Sequence, residues 1–273
     1  MTFANQRAAG LLFFIVGSVA LIEGYFVFRD RVAALPFISG WLLFAFMLLL
    51  TAYNSRKKLP FLPLGSSEGW LQLHIYLGLL TVVLFGVHIA FRPPMGWFDS
   101  ILAALYVGVT VSGLFGWFVS RAIPKRITTR GGEVLFDRIP AVRHSIHQRA
   151  EELALKSVPE GKSTTIADFY VKHLEEFFRS PQNRLKHLFE ISSPLQRRLY
   201  QISDLNRFLN ERERVVMDQI AELVRQKDGL DYHYSLQFTL KAWLFAHIPL
   251  TYGLLIFSLV HIVIVYAYSG GAR

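Results

Sequence analysis

The chain has 273 residues, of which 52% are hydrophobic, and a formal charge of +9. So large an apolar fraction favours a membrane protein over a soluble one, and the positive charge comes without a nucleic-acid-binding motif, so we expect no nucleic-acid partner. Cysteine is absent, which excludes disulfides, thiolate-ligated iron–sulfur clusters and covalently attached c-type haem.

Five apolar runs are long enough to cross a lipid bilayer, which takes about 20 residues of helix. They are Ala8–Phe28, Pro36–Tyr53, Trp70–Phe91, Ile101–Ser120 and Ala242–Tyr268. The first run is longer than the apolar part of a signal peptide and lacks a clear cleavage site, so we interpret it as a retained span. Short connections predict that the first four spans are antiparallel neighbours.

Basic residues are unevenly distributed between the two ends of these spans. Most of them follow the second and fourth spans, at Arg56, Lys57, Lys58, Arg121, Lys125, Arg126 and Arg130. The positive-inside rule therefore predicts a cytoplasmic N-terminus and a periplasmic C-terminus in a multi-pass protein of the bacterial inner membrane.

The long segment between the fourth and fifth spans is polar and has helical patterning. We predict an all-α protein: four transmembrane helices in residues 1–120, a cytoplasmic helical domain in 121–240, and a fifth transmembrane helix with a short outer tail in 241–273. Within the domain, helices are expected near 132–156, 163–178 and 194–226. Pro159-Glu160-Gly161 and Asp228-Gly229 predict turns.

Two of the spans carry histidines at the same spacing. His74 and His88 are 88 − 74 = 14 residues apart, and His247 and His261 are 261 − 247 = 14 residues apart. Fourteen residues make nearly four helical turns, so each pair lies on one face, about 21 Å apart along the axis. In the predicted topology both spans run outward, which pairs His74 with His247 at the inner level and His88 with His261 at the outer level.

Ionisable groups are costly in hydrocarbon and call for an explanation. One is that the histidines form hydrogen bonds with neighbouring helices. We favour the other, two b haems with iron held by His74 and His247 and by His88 and His261, because imidazole suits iron and an apolar bundle suits a porphyrin. A mononuclear zinc site usually has three or four close protein ligands, and each level here supplies two. Two axial imidazoles leave no open position on iron, which favours electron transfer.

Other polar groups of the chain receive mostly structural interpretations. Thr251, Ser258 or backbone carbonyls are candidate acceptors for the second ring nitrogens of the ligands. Glu23 is expected near the outer interface beside Arg29 and Arg31. The remaining histidines are interpreted as solvated or interhelical: His144, His147, His173, His187 and His233.

The motifs His74-x13-His88 and His247-x13-His261 resemble those of the membrane dihaem b-type cytochromes, meaning the cytochrome b core and the ferric reductase-like transmembrane family. The resemblance covers residues 8–120 and 242–268. It implies two haem b groups. Two departures are visible: the flavin and nicotinamide domain of ferric reductases is not expected after Arg273, and the PEWY-type quinol signature is missing.

The leading hypothesis is a cytochrome b subunit of a redox complex that transfers electrons across the lipid membrane. It would link a quinone or a cytoplasmic redox subunit to a periplasmic cytochrome c or another redox protein, and it need not be a stand-alone enzyme. A self-contained quinol or ferric reductase is the first alternative, and a haem-free scaffold or transporter is the second.

Overall fold

A computed structural model describes residues 3–55, 67–129, 134–161, 164–190 and 194–269. These residues form helices and turns, with no β-strand among them. The helices are α1 (Phe3–Phe28), α2 (Leu35–Ser55), α3 (Ser67–His88), α4 (Trp97–Thr129), α5 (Ile139–Gly161), α6 (Thr165–Phe169), α7 (Glu175–Arg179), α8 (Arg184–Phe189), α9 (Pro194–Asn206) and α10 (Glu211–Ser269). A 3₁₀ turn, Phe136–Arg138, precedes α5, and a π-helical turn, Tyr170–Leu174, joins α6 to α7.

Five of the described helices, α1, α2, α3, α4 and α10, are long and apolar enough to cross a membrane. This confirms the predicted all-helical architecture with five membrane-spanning candidates. Several bounds differ from the prediction: α3 stops at His88, α4 extends from Trp97 to Thr129, and the last span is the end of a helix that begins at Glu211. The basic residues at 56–58 and 130 lie outside the described residues.

His88 is the last residue of α3. Phe91 N–H donates to the Gly86 carbonyl at 2.8 Å and Ala90 N–H to the Val87 carbonyl at 3.0 Å, which is a Schellman motif. Ala90 and Phe91 both have positive φ, 53° and 55°. The chain therefore leaves the helix immediately after the histidine, although the apolar run continues to Phe91.

The chain divides into two compact units, Met1–Phe118 with Trp243–Arg273, and Val119–Ala242. We call them the apolar unit and the polar unit. In the apolar unit the buried core includes Leu43, Met47, Leu84, Tyr106 and Leu254. In the polar unit a larger core brings α5, α7, α9 and the first part of α10 together around Phe177, Phe178, Met217, Ile220 and Val224.

One helix prediction and two turn predictions for the polar unit are wrong. The predicted helix 194–226 is interrupted, because α9 ends at Asn206 and α10 begins at Glu211. A capping box starts α10: Glu213 N–H donates to Asn210 Oδ1 at 2.9 Å, and Asn210 N–H donates to Glu213 Oε2 at 3.0 Å. The predicted turn at Asp228-Gly229 lies inside α10. Likewise α5 continues through the turn predicted at Pro159-Glu160-Gly161 and ends at Gly161.

Tyr170 is a buried tyrosine of the polar unit, 4% exposed. Its hydroxyl has no hydrogen-bond partner among the described residues. Burial, together with the negative charges of Glu151 and Glu175, raises the pKa of Tyr170 to about 12 from 10.0. A phenol whose pKa is higher in the folded state than in the unfolded chain makes stability fall as pH rises between those two values.

Tyr170→Phe is therefore expected to raise the free energy of unfolding of the polar unit by about 1 kcal/mol at pH 7, since it removes an unsatisfied buried hydroxyl. It should also remove part of the stability loss that the wild type shows from about pH 10 towards pH 12. Hydrogen exchange of the whole chain in detergent at pH 7, and denaturation up to pH 11, measure both effects. Tyr200→Phe, at a tyrosine that is 68% exposed, is the matched control and should change neither; equal behaviour of the two variants would contradict the prediction.

Candidate functional site

The apolar unit brings two of the four predicted ligands side by side. The ring centres of His88, on α3, and His261, on α10, are 6.4 Å apart, and the two ring planes are nearly perpendicular, at 84°. His74 and His247 are the second predicted pair. We call the two pairs the 88/261 pair and the 74/247 pair.

Hydrogen bonds hold the rings of the 88/261 pair by the same nitrogen. His88 Nδ1 lies 3.1 Å from the Pro36 carbonyl and 3.2 Å from Ser39 Oγ, both on α2. His261 Nδ1 lies 3.2 Å from a carboxylate oxygen of Asp99, in the first turn of α4. Because the recorded contacts fall on Nδ1, Nε2 is the nitrogen of each ring that is left for a metal.

A cavity of about 240 Å³ opens beside the 88/261 pair. Its walls are almost entirely apolar and aromatic, and both histidines are part of them. The lining comprises Pro36, Phe37, Gly40, Trp41, Leu43, Phe44, Met47, Phe85, His88, Leu102, Tyr106, Leu254, Ser258, His261, Ile262, Val265 and Tyr266. Such a cavity suits a flat hydrophobic cofactor that is fixed by a few polar groups.

The spacing of the 88/261 pair agrees with coordination of one metal ion by both rings. Metal–imidazole bonds are about 2.0–2.1 Å long, so two imidazoles on opposite sides of one metal would place their ring centres about 6 Å apart. The observed separation is 6.4 Å. No group of three or more His, Asp or Glu side chains that could hold a metal ion occurs among the described residues. Two imidazoles beside an apolar cavity are a donor set that fits a haem.

The 74/247 pair has a different environment. His247 Nδ1 lies 3.2 Å from Ser112 Oγ on α4, and its ring is next to Trp243 at 5.6 Å between ring centres. The His74 ring lies 5.2 Å from that of Tyr53. His74 Nδ1 is buried, and the His74 ring forms a hydrogen bond with the backbone of Leu50 on α2.

Glycines give close access to the ligand rings at two places. A Cβ at Gly40 would come within 2.8 Å of His88 Cε1, so only glycine lets that ring sit against α2. A Cβ at Gly113 would be 3.7 Å from His247 Cε1. Beside Gly78, one turn after His74, a Cβ would meet nothing within 4 Å, so the chain leaves open space on the ligand face there.

Of the acceptors predicted from the sequence, a backbone carbonyl is confirmed for one ring, because His88 Nδ1 lies 3.1 Å from the Pro36 carbonyl. Thr251 Oγ1 donates to the backbone carbonyl of His247 at 2.9 Å, so it does not hold the ring. Ser258 lines the cavity. The side-chain partners of the rings, Ser39, Asp99 and Ser112, are on other helices and were not among the predicted acceptors. Asp99 could have been considered from the sequence alone, because it is an acidic residue near the start of an apolar span, two residues after Trp97.

The other histidines lie apart from these pairs. His187 and His233 are both buried, each 4% exposed, in the polar unit. His187 Nε2 lies 3.7 Å from Asp228 Oδ1, an interhelical contact between α8 and α10. His144 and His173 are exposed. In the apolar unit Arg29 pairs with Asp30 at 3.3 Å, and Glu23 is exposed on α1.

Comparison with known proteins returned no match: no family model, no curated protein and no solved structure is similar to this chain. Its function is therefore inferred from the geometry of the four histidines and of their surroundings.

Proposed function

We propose that the chain is a membrane cytochrome b subunit that transfers electrons across a lipid bilayer, with one b haem held by the 88/261 pair and a second by the 74/247 pair. The single observation that carries the proposal is the 88/261 pair. Its rings are separated by the distance that two ligands of one metal require, both are anchored through Nδ1, and both face an apolar cavity.

Each residue of the site has a physical role in this function. When bound, a haem iron supplies reversible one-electron chemistry. The four histidines would hold the two haems, two for each, and an iron held by two imidazoles would exchange electrons rather than bind a substrate. The Pro36 carbonyl, Ser39, Asp99 and Ser112 fix the ring orientations. The apolar lining would exclude water from the bound group.

The wider setting is also part of the proposal. The matched histidine spacing resembles that of the cytochrome b and ferric reductase-like transmembrane family. The basic residues after the second and fourth spans support an N-terminus in the cytoplasm of a bacterium and a polar unit, Val119–Ala242, on the same side as an inserted domain. That unit would dock a cytoplasmic redox subunit or support assembly. A quinone and a periplasmic cytochrome c or similar redox protein would be the remaining partners.

Transmembrane electron transfer can be measured directly in liposomes. The purified chain is reconstituted around trapped ferricyanide, and dithionite is added outside. We expect the trapped ferricyanide to be reduced, and liposomes that contain the His88→Ala variant to lose this activity. Haem reduction without ferricyanide reduction would contradict transfer across the bilayer. Turnover of a quinol by the purified chain alone would instead support a self-contained reductase.

Gly40→Ala tests the close approach of α2 to the ligand ring. Since the added Cβ would lie 2.8 Å from His88 Cε1, the ring has to move, and the haem content is expected to fall from about two towards about one per chain. Gly24→Ala is the matched control, because a Cβ there meets nothing within 4 Å. The haem-to-protein ratio of the purified variants checks this, and equal ratios in the two variants would contradict it.

A further inference from the structure

The two rings of the 88/261 pair are held by partners of different charge. His88 Nδ1 contacts a neutral carbonyl and a hydroxyl, on Pro36 and Ser39. His261 Nδ1 contacts the carboxylate of Asp99 at 3.2 Å. In the 74/247 pair, the partners are a hydroxyl, Ser112 Oγ, and the backbone of Leu50. Among the described residues, Asp99 is thus the one anionic partner of the four predicted ligands.

We propose that Asp99 is a positioning residue that sets the orientation of His261 and lowers the reduction potential of the metal at the 88/261 pair. This inference rests on the proposed haem-binding function. A carboxylate that accepts the Nδ1 hydrogen bond makes the imidazole a more basic ligand at Nε2. A more basic ligand stabilises the ferric state over the ferrous state, and the nearby negative charge acts in the same direction.

The orientation of the ring is fixed from the same helical turn. Phe98, the residue before Asp99, lies nearly parallel to the His261 ring, with an angle of 7° and 6.4 Å between ring centres. Phe98 in turn stacks on Phe257, one helical turn before His261. The first turn of α4 therefore contacts His261 both through a charged acceptor and through an aromatic plane, which is more than a general stabilisation of the helix N-terminus would require.

The size of the effect is limited by solvent. The Asp99 side chain is 50% exposed, so its charge is partly screened. We expect removal of the charge to change the ratio of oxidised to reduced iron at a fixed potential by about threefold, which is about 28 mV at 59 mV per tenfold change.

The experiment is a spectroelectrochemical titration of Asp99→Asn in the full-length protein. Asparagine keeps an oxygen at the acceptor position and removes the charge. The potential of one haem is expected to rise by about this amount while the other stays unchanged, and Asp99→Glu, which keeps the charge, should lie close to the wild type. Asp30→Asn removes an exposed carboxylate that pairs with Arg29 and serves as the control.

Electron paramagnetic resonance of the ferric protein gives a second readout, because a change in stability alone would not alter the shape of the low-spin signals. The angle between the planes of two imidazoles that hold one ferric haem would affect the anisotropy of its low-spin signal, and the His88 and His261 ring planes are 84° apart. We expect Asp99→Asn to alter one of the two signals and Asp30→Asn to alter neither. Two bound haems with potentials and signals identical in Asp99→Asn and the wild type would overturn this inference, whereas absence of haem from the wild type would overturn the proposed function beneath it.

Discussion

His88→Ala or His261→Ala is expected to reduce the haem content from about two to about one per chain, and the same loss is expected for His74→Ala or His247→Ala at the other site. Each substitution would remove one of the two histidines that are proposed to hold a haem, so that haem would keep a single bond to the protein. The other pair is about 21 Å away along the helices and should keep its haem. Pyridine haemochrome absorbance against protein concentration measures the ratio.

His144→Ala is the matched control for this series. His144 is exposed on α5 in the polar unit, so its replacement should leave both haems in place. Retention of two low-spin haems in all four ligand variants would contradict the assignment of His74, His88, His247 and His261. Loss of both haems from every variant, with helical content unchanged, would contradict the independence of the two sites.

Lys227→Met is expected to destabilise the polar unit by about 3–5 kcal/mol, because it leaves the buried charge of Asp231 without its partner. The two side chains are 0% and 2% exposed, and Lys227 Nζ donates to Asp231 Oδ2 at 2.5 Å and to the Ser180 carbonyl at 2.7 Å. Burial lowers the pKa of Lys227 and raises that of Asp231, with their mutual attraction opposing both shifts. Hydrogen exchange of the full chain in detergent reports the free energy of unfolding of this unit.

Two further variants make the cause of this loss testable. Lys227→Met combined with Asp231→Asn removes both charges and keeps an oxygen for Gln182 N–H, which donates to Asp231 at 3.1 Å in the wild type. The double variant should recover most of the stability. Lys241→Met breaks an exposed ion pair with Asp137, 54% and 89% exposed, and is expected to cost less than about 1 kcal/mol. A loss as large as that of Lys227→Met would contradict the role of burial.

The membrane helices could be predicted from sequence because their signal is local. Length and apolar composition are sufficient for five candidates, and a fixed 14-residue spacing is sufficient to place His74 and His88 on one face of α3. Helix ends were harder to predict. The apolar run continues past His88, but Ala90 and Phe91 have positive φ and the helix ends before them. Hydropathy carries no information about these backbone angles.

In the polar unit, tertiary contacts override a local sequence preference for a turn. Asp228-Gly229 is a turn sequence, yet it lies within α10. The neighbouring side chains explain this: Lys227 and Asp231 form a buried i,i+4 pair, and Asp228 faces His187 of α8. These contacts stabilise the helical backbone by more than the free-energy cost of a glycine inside a helix, which is about 1 kcal/mol. The capping box of Asn210 and Glu213, by contrast, was readable from sequence and was missed.

The ring partners of the ligands could not be predicted by reasoning along one helix. Ser39 and Ser112 are ordinary serines in apolar helices, and only the packing of α2 on α3 and of α4 on α10 aims them at a histidine. The need for glycine at position 40 likewise follows only from the His88 ring beside it. Such contacts join residues 49 and 135 positions apart in the chain, beyond the reach of periodicity.

The most direct test of the central claim is a visible difference spectrum of the purified protein, dithionite-reduced minus oxidised, with haem and protein quantified in the same sample. The account predicts sharp bands of low-spin b-type haem at about two haems per chain, since two bis-histidine pairs are available. A protein that is folded and helical but contains no haem, under conditions in which haem is supplied during expression, would contradict it.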